Sequence, residues 1–200
     1  DFQARNNNEL VAIFGNFINR VLVLTNKYYE GSVPTPNELS ILDTETLEKV
    51  KSYPDILSKS IERYRFREAS QELMNLARLG NKYLADEEPW KAIKTDPERV
   101  QTIMYVALQI AAALAIVSEP FLPWSSQKLK TMLRLETPTW TSVQSGAVLL
   151  KPTHQIGEAS LLFAKIEDSE IDFQLDKLAK SKLANLIAKK VVEPQKETVS

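Results

Sequence analysis

Apolar residues recur three or four positions apart along most of the chain, which is the helical period. The clearest instance is the stretch 6–31, where Leu10, Phe14, Phe17, Val21, Leu24 and Tyr28 form one stripe flanked by Val11, Ile18 and Leu22. Asn6, Asn7 or Asn8 is positioned to cap this helix, with Glu9 favouring its N-terminal dipole end. Gly31 ends it, and the sequence S-V-P-T-P-N over 32–37 reads as a loop. Asp43 or Thr44 is the expected cap of a second helix through Tyr64, with a kink or break at Pro54. A third helix is predicted over 67–86, its buried stripe running through Ala69, Leu73, Leu76, Leu79 or Gly80, and Tyr83. Glu87-Glu88-Pro89-Trp90 reads as a turn with a solvated acidic end, and Asp96-Pro97 as a helix start. The helix over 97–118 is apolar nearly all round, as expected of the central helix of a bundle. Ser125 is the expected cap of a short helix ending at Leu133.

Beyond that point the pattern changes. Residues 137–152 are rich in Thr, Ser and Pro and read as a loop or short extended crossing, with Val148–Leu150 the one strand-like run. Residues 161–166 (L-L-F-A-K-I) form a compact apolar anchor, and 171–190 a last helix with Ile171, Leu175, Leu178, Leu183 or Leu186, and Ile187 on its apolar side. The fold class expected is all-α, an antiparallel helix bundle with a C-terminal helical arm. Its divisions are a bundle over 1–135, an irregular crossing over 136–166, a C-terminal helix over 167–190 and a charged tail or linker over 191–200.

Composition narrows the chemistry. The 200 residues are 44% hydrophobic and 26% charged with a net charge of −1, so a nucleic-acid partner must be held by a local patch rather than an overall field. There is no cysteine, which removes disulfides, thiolate metal sites and cysteine nucleophiles. The longest apolar run, over 103–117, is broken by Gln109 and short for a bilayer. The start at Asp1 without a methionine suggests a piece of a longer protein. His154 is the single histidine, too few for paired Glu-x-x-His metal ligands. His154-Gln155-Ile156-Gly157 and Lys180-Ser181-Lys182 lack the spacing of nucleotide-binding signatures, and no glycine-rich phosphate loop occurs. The chain alone reads as non-catalytic.

Two features point to a flat ligand. On the strip of the first helix that carries Ala12, Gly15, Asn19 and Lys27, Asn16 and Arg20 stand one turn apart. Asn offers an acceptor and two donors, and Arg a donor fork and a flat cation, which together suit an unstacked nucleobase. Trp90, in a polar turn, is a candidate stacking platform. The alternatives are a solvated helix face and a packing wedge. Trp124 and Trp140 read as packing residues. Lys59, Arg63, Arg65, Arg67, Arg78 and Lys82 are interleaved with Glu62, Glu68 and Glu72, a salt-bridged face as readily as a phosphate track.

The segments G-N-F-I-N-R-V-L-V-L-T-N-K-Y-Y-E-G and N-K-Y-L-A-D-E-E-P-W-K, the helix ending E-P-F-L-P, and I-G-E-A-S-L-L-F-A-K-I-E-D closely resemble the C-terminal part of methionyl-tRNA synthetases, in order and spacing, over 1–190. The resemblance implies that Trp90 stacks on the first base of a CAU anticodon and that Asn16 and Arg20 bond to and stack on unstacked anticodon bases; among the basic residues, Lys27, Arg63 and Arg67 are the candidate phosphate contacts. It implies methionine tRNA and the enzyme's own catalytic domain as partners, a cytoplasmic location and no membrane. It implies no cofactor here; ATP, with zinc as a further candidate, belongs to the catalytic part, whose H-I-G-H and K-M-S-K-S signatures are absent. It also implies that residues 159–186 lie back toward that catalytic part and that the tail precedes a further tRNA-binding barrel in some members. Two other functions fit the pattern: a helical protein–protein adaptor acting through 171–190, and the anticodon-binding domain of a different class I synthetase.

Overall fold

The computed structural model describes residues 1–136 and 139–192, with side chains in the last helix described to residue 186. Thr137, Pro138 and the charged tail from residue 193 lie outside the described residues. The first helical column has three parts: α1 (Phe2–Arg5), a π-helical segment (Asn6–Gly15) and α2 (Asn16–Tyr29). It begins before the three asparagines, so they cap nothing. Asn6 and Asn7 face the C-terminal part of the chain instead, and Asn8 is exposed. The Asn7 side-chain amide donates to the Ile166 carbonyl and accepts the Ile166 N–H, both at 2.9 Å. Asn6 donates to the Ala164 carbonyl, and Gln3 to the Ile166 carbonyl and the Asp168 carboxylate. The strap they hold, residues 159–167, lays Phe163 edge-on against Phe14, their ring centroids 5.4 Å apart. Phe163 also fills the space beside Gly15, where a Cβ would lie 3.3 Å from its ring. Gly15 itself is therefore partly covered by the strap, while Ala12, Arg20 and Lys27 on the same strip stay exposed.

α3 (Ile41–Glu62) and α4 (Phe66–Glu87) form an antiparallel hairpin. The cap of α3 is Ser40, not Asp43 or Thr44: the Ser40 hydroxyl accepts the Asp43 N–H while the Asp43 carboxylate accepts the Ser40 N–H, a reciprocal capping box. α3 runs without a break through Pro54, which is buried. A short helix, α5 (Pro89–Ala92), occupies the expected turn before α6 (Pro97–Val117), which Asp96 caps by accepting the Arg99 N–H. α6 is longer than the apolar run within it, and by length and composition it would suffice to cross a membrane. It is instead the bundle's core, buried on every side from Ile103 to Val117 with α2, α3, α4 and α7 around it.

α7 (Pro123–Leu133) starts at Pro123 rather than after Ser125, and Ser126 donates its hydroxyl to the Ala115 carbonyl across the interface. Trp124, expected to pack, is 86% exposed because the first turn of α7 points it to solvent. Trp140 does pack against the core. It opens α8 (Trp140–Gln144), a helix within the stretch expected to be loop. Val148–Leu150 makes no strand. The Gln109 side chain, the polar break in α6, takes the place of a strand edge: its Oε1 accepts the Leu149 and Leu150 N–H groups and its Nε2 donates to the Leu150 carbonyl at 2.7 Å. One isolated antiparallel bridge, Ser32 to Gln155, ties the α2–α3 loop to the same crossing. α9 (Asp168–Val192) follows the strap. From Asp168 to Leu186 its side chains are exposed, apart from a half-buried Ile171.

Candidate functional site

Pairings between the first helical column and α4 advance in the same direction along both. Arg78 meets Glu9, Asn81 meets Ile13 and Asn16, and Arg20 meets Trp90 just beyond the end of α4. The two helices thus run in the same sense, and the polar strip of α2 arrives at the end of the bundle where α4 gives way to α5. Their close approach depends on Gly80: a Cβ there would lie 2.5–2.8 Å from ring atoms of Phe17, which is fully buried.

Asn16 is the first residue after the π-helical segment, and its backbone N–H is shared between the Val11 and Ile13 carbonyls. Widened helical turns of this kind recur at functional sites because they re-aim the side chains that follow. The half-buried Asn16 amide donates to Asn81 Oδ1 at 3.2 Å. Asn81 is itself held, donating to the Ile13 carbonyl at 2.8 Å and the Ala77 carbonyl at 3.1 Å. The Asn16 amide is therefore oriented, and its carbonyl oxygen has no donor among the described residues.

One turn on, Arg20 is exposed and makes no ion pair among the described residues. Its guanidinium lies over the Trp90 ring, 5.5 Å from the centroid, within the range of a cation–π contact. Trp90 is half-buried against the core, so the ring has a fixed seat and an accessible side. The turn that presents it is strained. Glu88 sits in the left-handed region at φ 43°, which disfavours a side-chain-bearing residue by about 1–2 kcal/mol. Pro89 then sets the first turn of α5, and Lys91 pairs with Glu88 at 2.7 Å.

The base of this turn rests on a buried network. Arg99, two residues into α6, forks onto Asp43 with Nη1–Oδ2 at 2.5 Å and Nη2–Oδ1 at 2.9 Å, and reaches Glu87 with Nη2 at 2.8 Å. Tyr83 donates its hydroxyl to Asp43 Oδ1 at 2.6 Å. Burial alone would raise the Asp43 carboxyl; hydrogen bonds from Arg99, Tyr83 and Ser40, with the guanidinium charge, outweigh it and hold the group below its ordinary range. Tyr83 is pushed far up, first by burial and then by its bond to Asp43. Glu87 belongs to this network, so the acidic end read as solvated is half anchored and half ion-paired.

Of the residues singled out in the sequence, Asn16, Arg20 and Trp90 meet at one end of the bundle. Lys27 is exposed, eleven positions beyond Asn16 on the same helix and hence on the same stripe. Its ammonium lies 5.6 Å from the Tyr28 ring centroid. Arg63 and Arg67 stand elsewhere, at the α3–α4 corner. The 22 residues of α4 set that corner about 33 Å from the Trp90 turn. The basic residues along α4 are partly paired, Arg65 with Glu68 at that corner, and Arg78 with Glu9 and Lys82 with Asp86 further toward the Trp90 turn. Sequence reasoning missed Asn81, although it opens the quoted N-K-Y-L segment. It also missed the Ser40 cap, which the S-x-x-D spacing signals, and the Asp43–Arg99 pair, for which the sequence carries no local signal.

Residues 30–182 match the model of a family described as the anticodon binding domain of methionyl tRNA ligase, a span that includes Asn81 and Trp90 but begins after Arg20. The chain is 62% identical over 200 residues, its whole length, to a methionine–tRNA ligase of Flavobacterium psychrophilum, and covers 29% of that protein. It is 63% identical over 203 residues, with 98% of the chain covered, to a methionine–tRNA ligase of Christiangramia forsetii, again 29% of that length. The chain thus spans under a third of the curated relatives it matches. In fold it is similar to the free-state crystal structure of Mycobacterium tuberculosis methionyl-tRNA synthetase, with a TM-score of 0.76 at 22% identity, over 82% of this chain and 34% of that one.

Proposed function

This chain belongs to the anticodon-binding domains of methionyl-tRNA ligases, and we propose that within such a ligase it reads the CAU anticodon of methionine tRNA through Asn16, Arg20 and Trp90. The observation that carries the reading is the Arg20 guanidinium resting on the Trp90 ring, one helical turn from an oriented asparagine amide. An unstacked base enters by taking the place of the guanidinium on the indole face, and Arg20 then turns its donor fork and flat surface to a neighbouring base. Asn16 presents its free carbonyl oxygen to a base edge. Stacking on an aromatic supplies about 1–3 kcal/mol without selecting a base; the amide and guanidinium supply the selection, because a wrong base that covers them leaves their polar atoms unpaired.

Phosphates are held at two distances. Lys27 lies on the same stripe of α2 as Asn16 and Arg20 and suits the backbone of the anticodon loop. Arg63 and Arg67, a helix length away, suit the stem. The catalytic half of the ligase, with ATP and zinc as its candidate cofactors, supplies the attachment of methionine to tRNA in the cytoplasm. The apolar side of α9, including Leu175 and Leu178, suits packing toward that half.

The test is fluorescence anisotropy with an anticodon stem-loop bearing CAU and one bearing a scrambled triplet, at fixed low salt because phosphate contacts are screened. The expected result is a preference of at least about tenfold for CAU, or about 1.4 kcal/mol, abolished in Trp90→Ala and Arg20→Ala. Equal binding of both loops by the wild-type chain overturns the reading. A second reading, a helical adaptor, draws on the exposed leucines of α9. It requires Leu175→Asp to abolish function while the Trp90 change is silent.

A further inference from the structure

The buried network beneath the Trp90 turn is more elaborate than the packing of three helix ends requires. Glu87 is the last residue of α4 and Arg99 lies in the first turn of α6, so their ion pair, 12 positions apart in sequence, closes an excursion that carries Glu88, Pro89 and Trp90. Both of its members are largely enclosed, Glu87 with 17% and Arg99 with 22% of the side chain exposed, and Asp43 behind them is fully buried. Enclosed ion pairs add little net stability, because desolvation offsets most of their attraction. What they fix is geometry: a planar guanidinium accepted by two carboxylates has one orientation, whereas apolar contacts tolerate sliding. The neighbouring backbone needs such a constraint, since Glu88 is held in the left-handed region.

We propose that Glu87 and Arg99 are positioning residues for Trp90, clamping the α4–α5–α6 turn so that the indole face meets Arg20 and the incoming base at a set angle. The proposal rests on the anticodon reading given above and adds to it residues that touch no RNA. Asp43 anchors the clamp in α3, and Tyr83, one turn before Glu87 in α4, holds Asp43 in place.

The test uses the full chain labelled with 5-fluorotryptophan, whose three indole resonances are assigned by single Trp→Phe changes. In Glu87→Ala the Trp90 resonance is expected to shift or narrow while those of Trp124 and Trp140 stay in place, and the preference for CAU over the scrambled loop is expected to fall at least fivefold. Glu87→Gln, which retains an acceptor for the Arg99 Nε–H, is expected to recover part of both. An unmoved Trp90 resonance with an unchanged CAU preference in Glu87→Ala overturns the clamp and leaves the anticodon reading standing. If the wild-type chain shows no CAU preference, the anticodon reading fails, and the fluorine spectrum alone decides whether Glu87 positions Trp90. Should Glu87→Ala fail to fold, Arg99→Lys, which keeps the charge but loses the fork, is read in the same two ways.

Discussion

At the scale of single residues, side chains that look interchangeable by type are separated by what touches them. Asn6, Asn7 and Asn16 occur within eleven positions, yet the first two hold the strap at Ala164 and Ile166 while the third is aimed by Asn81. Trp90, Trp124 and Trp140 divide likewise into a seated ring under a guanidinium, an exposed ring and a core wedge. Gly80 is the residue on which the site's geometry most directly depends. Alanine there gains up to about 1 kcal/mol in helix propensity, but its Cβ collides with the Phe17 ring, and overpacking costs about 1–3 kcal/mol. The expected outcome for Gly80→Ala is a net loss of stability, lowering the melting midpoint by several degrees in calorimetry, with weakened binding of the CAU loop because α2 and α4 are pushed apart. The same change at Gly15 meets the Leu10 carbonyl oxygen at 3.2 Å and Phe163 at 3.3 Å, gentler contacts than the one at Gly80.

At the scale of elements, the sequence was most legible where the pattern was decided locally. α6 followed from a run that is apolar on every side, and its start from Asp96-Pro97. α4 followed from its stripe, and the loop over 32–37 from its prolines. Illegible features are those whose reasons lie far along the chain. Asn6 and Asn7 resemble a cap until the strap, about 160 residues later, gives them other partners. The π-helical register of 6–15 has no local signature, because it is selected by contacts with Phe163, Arg78 and Asn81. The three candidate base-reading residues were legible by type, but their meeting at one end depends on two helices running in the same sense, which periodicity does not encode. Gln109 shows how a single polar residue organises an element. Its amide bonds to two N–H groups and one carbonyl of the 148–150 crossing, and leaving such groups unmet when buried costs about 1–3 kcal/mol. Gln109→Leu is therefore expected to lower the melting midpoint by roughly 2–4 °C per kcal/mol lost. Amide exchange at Leu149 and Leu150 should accelerate most, measured by hydrogen–deuterium exchange. Unchanged protection there would show that the crossing is held by other contacts.

At the scale of the whole molecule, stability and exposure are unevenly shared. The bundle and its crossing are built around α6, whereas α9 exposes Phe173, Leu175, Leu178, Leu183 and Leu186, each more than half accessible. Truncation after Glu167 is expected to leave the melting midpoint of the chain within about 1–2 °C, since regions with few buried contacts contribute little to global stability. It should also reduce self-association in sedimentation, by removing the apolar side of α9. A large drop in the midpoint would mean that α9 supports the bundle. The strap before it has a different consequence, one of order in time. Asn7 and Ile166 are 159 positions apart, and contacts so distant in sequence form only after nearer ones have drawn the ends together. A nascent first helix has every local reason to wind as an ordinary α-helix. Its wide turns are thus expected to be completed only once both α4 and the strap have docked on it.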